Sequence, residues 1–137
     1  MVEITYRIPT PEDYCNLRLE AGMSARSLAA AKKGLAHACF TVTLYEDERL
    51  IGMGRVIGDG GTAFQIVDIA VTPSYQGYGY GKRIMKEIMT YLESVAEAGT
   101  YVSLIADYPA DQLYQQFGFQ NTEPESGGMY KLSLIHI

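Results

Sequence analysis

Val71-Thr72-Pro73-Ser74-Tyr75-Gln76-Gly77-Tyr78-Gly79-Tyr80-Gly81-Lys82-Arg83 is the stretch on which the reading of this chain turns. Before it, Ala63 to Val71 is a β-rich apolar run. After it, residues 79–98 place Ile84, Ile88, Leu92 and Val95 on one helical face, with Met85, Met89 and Ala96 beside them. That spacing predicts an amphipathic helix, with Gly99 as its exit. Alternating glycines between strand and helix let the backbone turn sharply and approach a ligand closely. The helix start offers unpaired N–H groups and the positive end of its dipole, a pairing that suits an anion. Lys82 and Arg83 stand in the first turn, where a cation is disfavoured by ~0.3–1 kcal/mol unless an anion is bound. A dinucleotide fingerprint needs glycine where Lys82 stands, and a P-loop needs Ser or Thr where Arg83 stands. Both nucleotide readings therefore fail on spacing. A glycine-rich connection with no ligand is the plain alternative.

Outward from this turn the chain reads as alternating elements. Residues 2–8 predict a strand, and Thr10-Pro11-Glu12-Asp13 opens a helix over about 11–20 that Gly22 ends. Ser24 or Ser27 starts an alanine-rich helix that stops near Gly34. Residues 37–45 and Leu50–Ile57 form a hairpin across Glu46-Asp47-Glu48, and Gly58-Asp59-Gly60-Gly61 turns the chain into Ala63–Val71. Downstream, Tyr101–Ala106 is a strand and Pro109–Phe117 a short helix that Gly118 stops. Phe119 onward and Met129–Leu134 are expected as final strands. The order βααβββαβαββ is an α/β fold, a mixed and mostly antiparallel sheet with helices on both faces. Its length suits one domain over residues 1–137.

Composition narrows the partners. Lys and Arg total 11 against 16 Asp and Glu, a formal net charge of −5, with no basic run. That argues against nucleic acid and against a polybasic membrane contact. No apolar run reaches the ~20 residues that span a bilayer, and the N-terminus lacks a signal core. Cys15 and Cys39 form no CxxC, and His37 and His136 are the only histidines, so no metal site is expected. A reduced, cytoplasmic setting follows as the expectation.

Two motifs together resemble the GNAT superfamily of acyl-coenzyme A-dependent N-acetyltransferases. Gln76-Gly77-Tyr78-Gly79-Tyr80-Gly81 meets that family's phosphate-cradling pattern Q/R-x-x-G-x-G/A, flanked by Ile69-Ala70-Val71 and an amphipathic helix. Leu113-Tyr114-Gln115-Gln116-Phe117-Gly118-Phe119 looks like its second signature, a tyrosine followed by Gly-Phe. Leu50-Ile51-Gly52-Met53-Gly54-Arg55-Val56 and Gly127-Gly128-Met129-Tyr130 also resemble small bacterial members.

The resemblance implies roles. Ile69-Ala70-Val71 would hold the pantetheine arm of acetyl-CoA through backbone groups of Ile69 and Val71. Amides of Gln76, Gly77, Tyr78, Gly79, Tyr80, Gly81 and Lys82 would hold its pyrophosphate. Tyr114 matches the position of the acid that protonates the departing coenzyme A thiolate. The family's usual glutamate base falls at Gln65, which cannot take a proton, so Asp68 is the nearest carboxylate, either a base or a loop anchor. Glu20 is a candidate for holding an ammonium group, and Met23 borders an acceptor pocket under the first two helices. Asp107 stands where the family often has asparagine near the cofactor; capping the helix at Pro109 is its plainer role. The expected activity is acetyl transfer to a primary amine of a small molecule or peptide, in a chain that could form a homodimer. Transfer of a longer acyl group and a non-catalytic acyl-CoA-binding module are the alternatives.

Overall fold

The computed structural model describes residues 1–131. The chain forms two compact units, Met1–Leu104 and the residues from Ile105 onward.

In the first unit the elements run β1 (Val2–Thr5), α1 (Pro11–Glu20), α2 (Leu28–Leu35), β2 (Phe40–Glu46), β3 (Arg49–Gly58), β4 (Ala63–Val71), α3 (Tyr80–Val95) and β5 (Tyr101–Leu104). The five strands form one sheet in chain order, antiparallel throughout except for the parallel pair β4–β5. Local chemistry sets the helix starts. Thr10 Oγ1 accepts from the Asp13 N–H at 3.1 Å ahead of Pro11, and Ser27, rather than Ser24, caps α2 through the Ala30 N–H at 3.1 Å. α3 ends at Val95, short of residue 98, because Ala96 has already turned to the extended region at φ −68 and ψ 139.

Helices cover both faces of the sheet. α3 buries Ile84, Met85, Ile88 and Leu92, and its Tyr91 meets Phe40 of β2 and Phe64 of β4. A Cβ on Gly54 of β3 would lie 2.6 Å from Ile84, so glycine is what lets α3 approach the sheet there. On the opposite face, Tyr14, Leu17, Ala31 and Leu35 of α1 and α2 pack against Tyr45, Leu50, Met53 and Ala70 of the sheet.

One irregularity positions the candidate site. Met53 pairs with Ala70 but Arg55 with Val67, so Asp68 and Ile69 together oppose Gly54. Asp68 takes up the extra residue in the left-handed region, at φ 59. Such a bulge reverses the alternation of side chains along a strand. Phe64 points at α3; an unbulged strand would send Asp68 the same way, into that apolar layer. Instead Ile69 lies against Gly54 on the α3 side, and Asp68 faces α1.

In the second unit α4 spans Asp111–Gln115. The expected cap by the Asp107 side chain is not made: Ala110 stands at the N-cap, and only the Asp107 carbonyl contributes, to the Ala110 N–H at 2.8 Å. Residues 119–131 carry no strand, against the sequence expectation. Asn121 to Gly128 holds no apolar side chain except that of Pro124, which cannot donate to a ladder, and it closes a turn through the Ser126 N–H and the Thr122 carbonyl at 3.1 Å. The rest of the expected last strand, residues 132–134, lies outside the described residues.

Candidate active site

Strand β4 has an open edge. It pairs with β5 only from Ala63 opposite Tyr101 to Ile66 opposite Leu104. From there β4 runs on to Val71 with β3 as its only strand partner among the described residues. Ile69, Ala70 and Val71 thus lie on a stretch with no second strand partner among the described residues.

The glycine turn follows directly. Pro73–Tyr75 makes a 3-10 turn, Gly77 and Gly79 take φ values of 87 and 83, and α3 begins at Tyr80. Any L side chain is strained at those angles, so both positions call for glycine on conformational grounds. Among the described residues, the N–H groups of Gly77, Tyr78, Gly79, Tyr80, Gly81 and Lys82 have no hydrogen-bond partner. Space lies open where a Cβ would stand on Gly77 or Gly79. Gln76 is different: its N–H is held by the Pro73 carbonyl at 3.2 Å, and its side-chain amide donates to the Val71 carbonyl at 2.9 Å. It braces the turn, and the free amides begin at Gly77. A row of free amides at the start of a 16-residue helix fits a pyrophosphate.

Asp68 lies within this stretch, next to Ile69, and is heavily engaged. One oxygen accepts from Arg18 Nη1; the other accepts from Arg55 Nε and from the Tyr14 hydroxyl, each at 2.8 Å. These contacts take three of the roughly four lone-pair sites a carboxylate offers. Arg18 continues to the Ser24 carbonyl at 3.0 Å and hydroxyl at 3.1 Å, and Arg55 to the Gly34 carbonyl at 3.2 Å. The network therefore ties α1, the α1–α2 loop and the end of α2 to the strand bulge. Burial pushes the Tyr14 hydroxyl above its ordinary range, and the Asp68 charge and hydrogen bond add to this while both guanidiniums oppose it. Tyr14 stays a neutral donor. Sequence reading missed Tyr14, Arg18 and Arg55 as partners, although a lone arginine inside the apolar run Leu50–Ile57 was the available sign.

Other expected residues sit apart from the bulge. Glu20 pairs with Arg49 at 3.2 Å on the surface, and Gln65 is half-buried on β4 opposite Ile57 and Ser103. Met23 packs on the α1–α2 core. Asp13, Glu20, Glu46, Asp47 and Glu48 line an open acidic cleft of about 600 Å³, which none of the expected catalytic residues borders. In the second unit Tyr114 is half-buried; desolvation raises its hydroxyl above the usual range, and the Asp107 charge adds to the rise. Among the described residues no helix is long and apolar enough to cross a membrane.

Comparison with known proteins gives the family of the chain. Residues 36–121 match the model of the GNAT acetyltransferase domain, and the chain belongs to that family. It is 65% identical to a protein from meticillin-resistant Staphylococcus aureus, described as of unknown function and a probable acetyltransferase. That similarity covers 97% of this chain and 100% of the other, with a TM-score of 0.94. An uncharacterized N-acetyltransferase from Prochlorococcus marinus is 34% identical over 103 residues, 72% of this chain and 56% of that protein. Another, from Porphyra purpurea, is 29% identical over 113 residues, 80% of this chain and 64% of that protein. The matched regions thus span less than two thirds of these two curated relatives.

Proposed function

We propose that the protein moves an acetyl group from acetyl-CoA to a primary amine of a small molecule or peptide by direct transfer. The observation that carries this reading is the open edge of β4 from Val67 to Val71, leading straight into the free amides of Gly77 to Lys82. An extended pantetheine arm matches such an edge, where Ile69, Ala70 and Val71 would line it, and a pyrophosphate matches the amides. The free N–H groups and the space above Gly77 and Gly79 are the fit for that group.

Bound there, acetyl-CoA supplies a thioester, an activated acyl group. The amine nitrogen attacks the acyl carbon, a C–N bond forms, and the C–S bond breaks with its electron pair leaving on sulfur. Tyr114 is the proposed donor to that sulfur. Burial raises its hydroxyl above the ordinary tyrosine range, which already lies higher than that of a free thiol, so complete proton transfer runs uphill. Its contribution is a hydrogen bond to the developing thiolate, and solvent completes the protonation. For Asp68, the three donors already on its carboxylate favour the anchoring role over that of base.

The test is an amine panel in which thiol release from acetyl-CoA is followed. Release with at least one primary amine is expected. Tight acetyl-CoA binding with no release across the panel would return the non-catalytic acyl-CoA-binding module, and faster release from a longer acyl donor would return the alternative acyl group.

A further inference from the structure

The arginines around the strand bulge carry an inference that rests on the transfer reading above. A chain of contacts runs Arg55–Asp68–Arg18–Ser24–Arg26, the last through Arg26 Nη1 and the Ser24 hydroxyl at 2.8 Å. Three guanidiniums against one carboxylate leave two positive charges unmatched. One of these lies among buried side chains, since Arg18, Arg55 and Asp68 are 3%, 8% and 9% exposed. The whole chain carries −5, so this local surplus opposes the molecule's overall sign. The groups meeting the network come from every element packed on that face. They are Tyr14 and Arg18 of α1, Ser24 and Arg26 of the loop, the Gly34 carbonyl of α2, Arg55 of β3 and Asp68 of β4. Cys15, whose thiol donates to the Arg26 carbonyl at 3.4 Å, is the one further titratable group touching it among the described residues. α3 lies across the sheet. Among the described residues, Asp68 is the one carboxylate paired with these arginines.

We propose that this positive surplus takes the place of a general base by keeping the acceptor amine in its neutral form. With the pyrophosphate at Gly77 to Lys82 and the arm running from Val71 to Ile69, the acyl end falls beside Ile69, which Asp68 immediately precedes. An amine reaching the acyl carbon therefore stands on the order of 10 Å from the guanidiniums, about three Cα steps. At that distance, and with an effective dielectric near ~20, one unmatched charge lowers an ammonium pKa by about one unit. Near pH 7 each unit gives roughly ten times more neutral amine. The ammonium releases one proton to solvent before attack. After the C–N bond forms and the C–S bond breaks, nitrogen loses a second proton and sulfur takes one up. The sum is an amide, a thiol and one free proton. None of the three arginines needs to touch the substrate, since they act through their field.

The experiment compares two pH profiles with one amine of known pKa. The profile of kcat/KM reports the free amine, and that of kcat reports the amine in the complex. For the wild type the kcat limb is expected about one unit below the kcat/KM limb. Arg55→Gln removes a charge and should move the kcat limb up, whereas Asp68→Asn enlarges the surplus and should move it down. Arg55→Lys keeps the charge and should stay near wild type, which separates field from geometry. Thermal unfolding verifies that each variant is folded, and if one is not, the two wild-type profiles still decide. Coincident wild-type limbs, or shifts of the same sign in Arg55→Gln and Asp68→Asn, would overturn the inference. So would a uniform loss of kcat at every pH in a folded Asp68→Asn, the mark of a true base. Thiol release with an unshifted kcat limb sinks this inference alone; no release with any amine sinks the transfer reading and this inference with it.

Discussion

Asp68 concentrates the chemistry of the first unit in one residue. Its left-handed backbone is tolerable for aspartate, whose short polar side chain suits that region better than a branched one does. Its carboxylate then holds two arginines and a tyrosine on the side of the sheet away from α3. Removing one member of a buried ionic set costs about 3–5 kcal/mol, because the partners are left unpaired. That scale makes the network a structural tie between sheet and helices as well as a source of field. Tyr114 is the contrasting case, a single hydroxyl for which a chemical role is proposed. Tyr114→Phe removes one oxygen and little volume, so the unfolding midpoint and acetyl-CoA affinity should barely move. Turnover is expected to fall by ~10²–10³, the usual worth of one hydrogen-bond donor to a developing anion, in kcat and kcat/KM together. Steady-state kinetics at pH 7 and again at pH 9 check this. Equal turnover of wild type and variant at both would leave Tyr114 as a packing residue.

The glycine turn and the Asp59 loop each give an element its own testable behaviour. Gly79 sits at φ 83, where an L side chain costs roughly 1–2 kcal/mol. Gly79→Ala should distort the cradle just ahead of α3 while leaving the distant core intact. Calorimetry should then show acetyl-CoA binding at least tenfold weaker, about 1.4 kcal/mol. Unchanged affinity in the folded variant would remove the cradle. Between β3 and β4, Asp59 accepts from the N–H groups of Gly61, Thr62 and Ala63 at 2.9, 2.8 and 3.2 Å, and from the Thr62 hydroxyl. The Thr62 hydroxyl bond and then these backbone bonds hold its carboxyl well below the usual carboxylate range. The folded pKa lies below the unfolded one, so the stabilisation is complete above about pH 4 and fades as pH falls further. The gap in Tm between wild type and Asp59→Ala should be widest at neutral pH and narrow steadily below about pH 4. A gap that grew on acidification would contradict the loop's hydrogen bonding.

For the molecule as a whole, a ligand that binds only the folded chain stabilises it by mass action. Acetyl-CoA at a hundred times its Kd should add about 2.7 kcal/mol and raise Tm accordingly. Coenzyme A should act similarly, because its pantetheine arm can use the β4 edge. ADP, which lacks the arm, should give a much smaller rise at equal concentration, and NAD none, given the glycine spacing. A thermal-shift series across the four compounds reads this directly. Equal rises with ADP and coenzyme A would argue that the open edge takes no part in binding.

Much of this architecture was legible before any coordinates, and the reason is locality. Thr10-Pro11 and Ser27 act through hydrogen bonds spanning three residues, the α3 stripe repeats at helical spacing, and Ala63–Val71 is bounded by turn residues on both sides. The glycine turn was legible for the same reason, since strand, turn and helix are consecutive in the chain. The bulge at Asp68 was not, because it exists only in the register between β3 and β4. Nor was its network: Tyr14 lies 54 residues from Asp68, Arg18 lies 50 and Arg55 lies 13, and no local pattern couples them. Local chemistry thus decided which segments became helices, strands and the cradle. Which face Asp68 turned to, and the arginines it met there, were decided by strand pairing and by the need to give a buried carboxylate its partners.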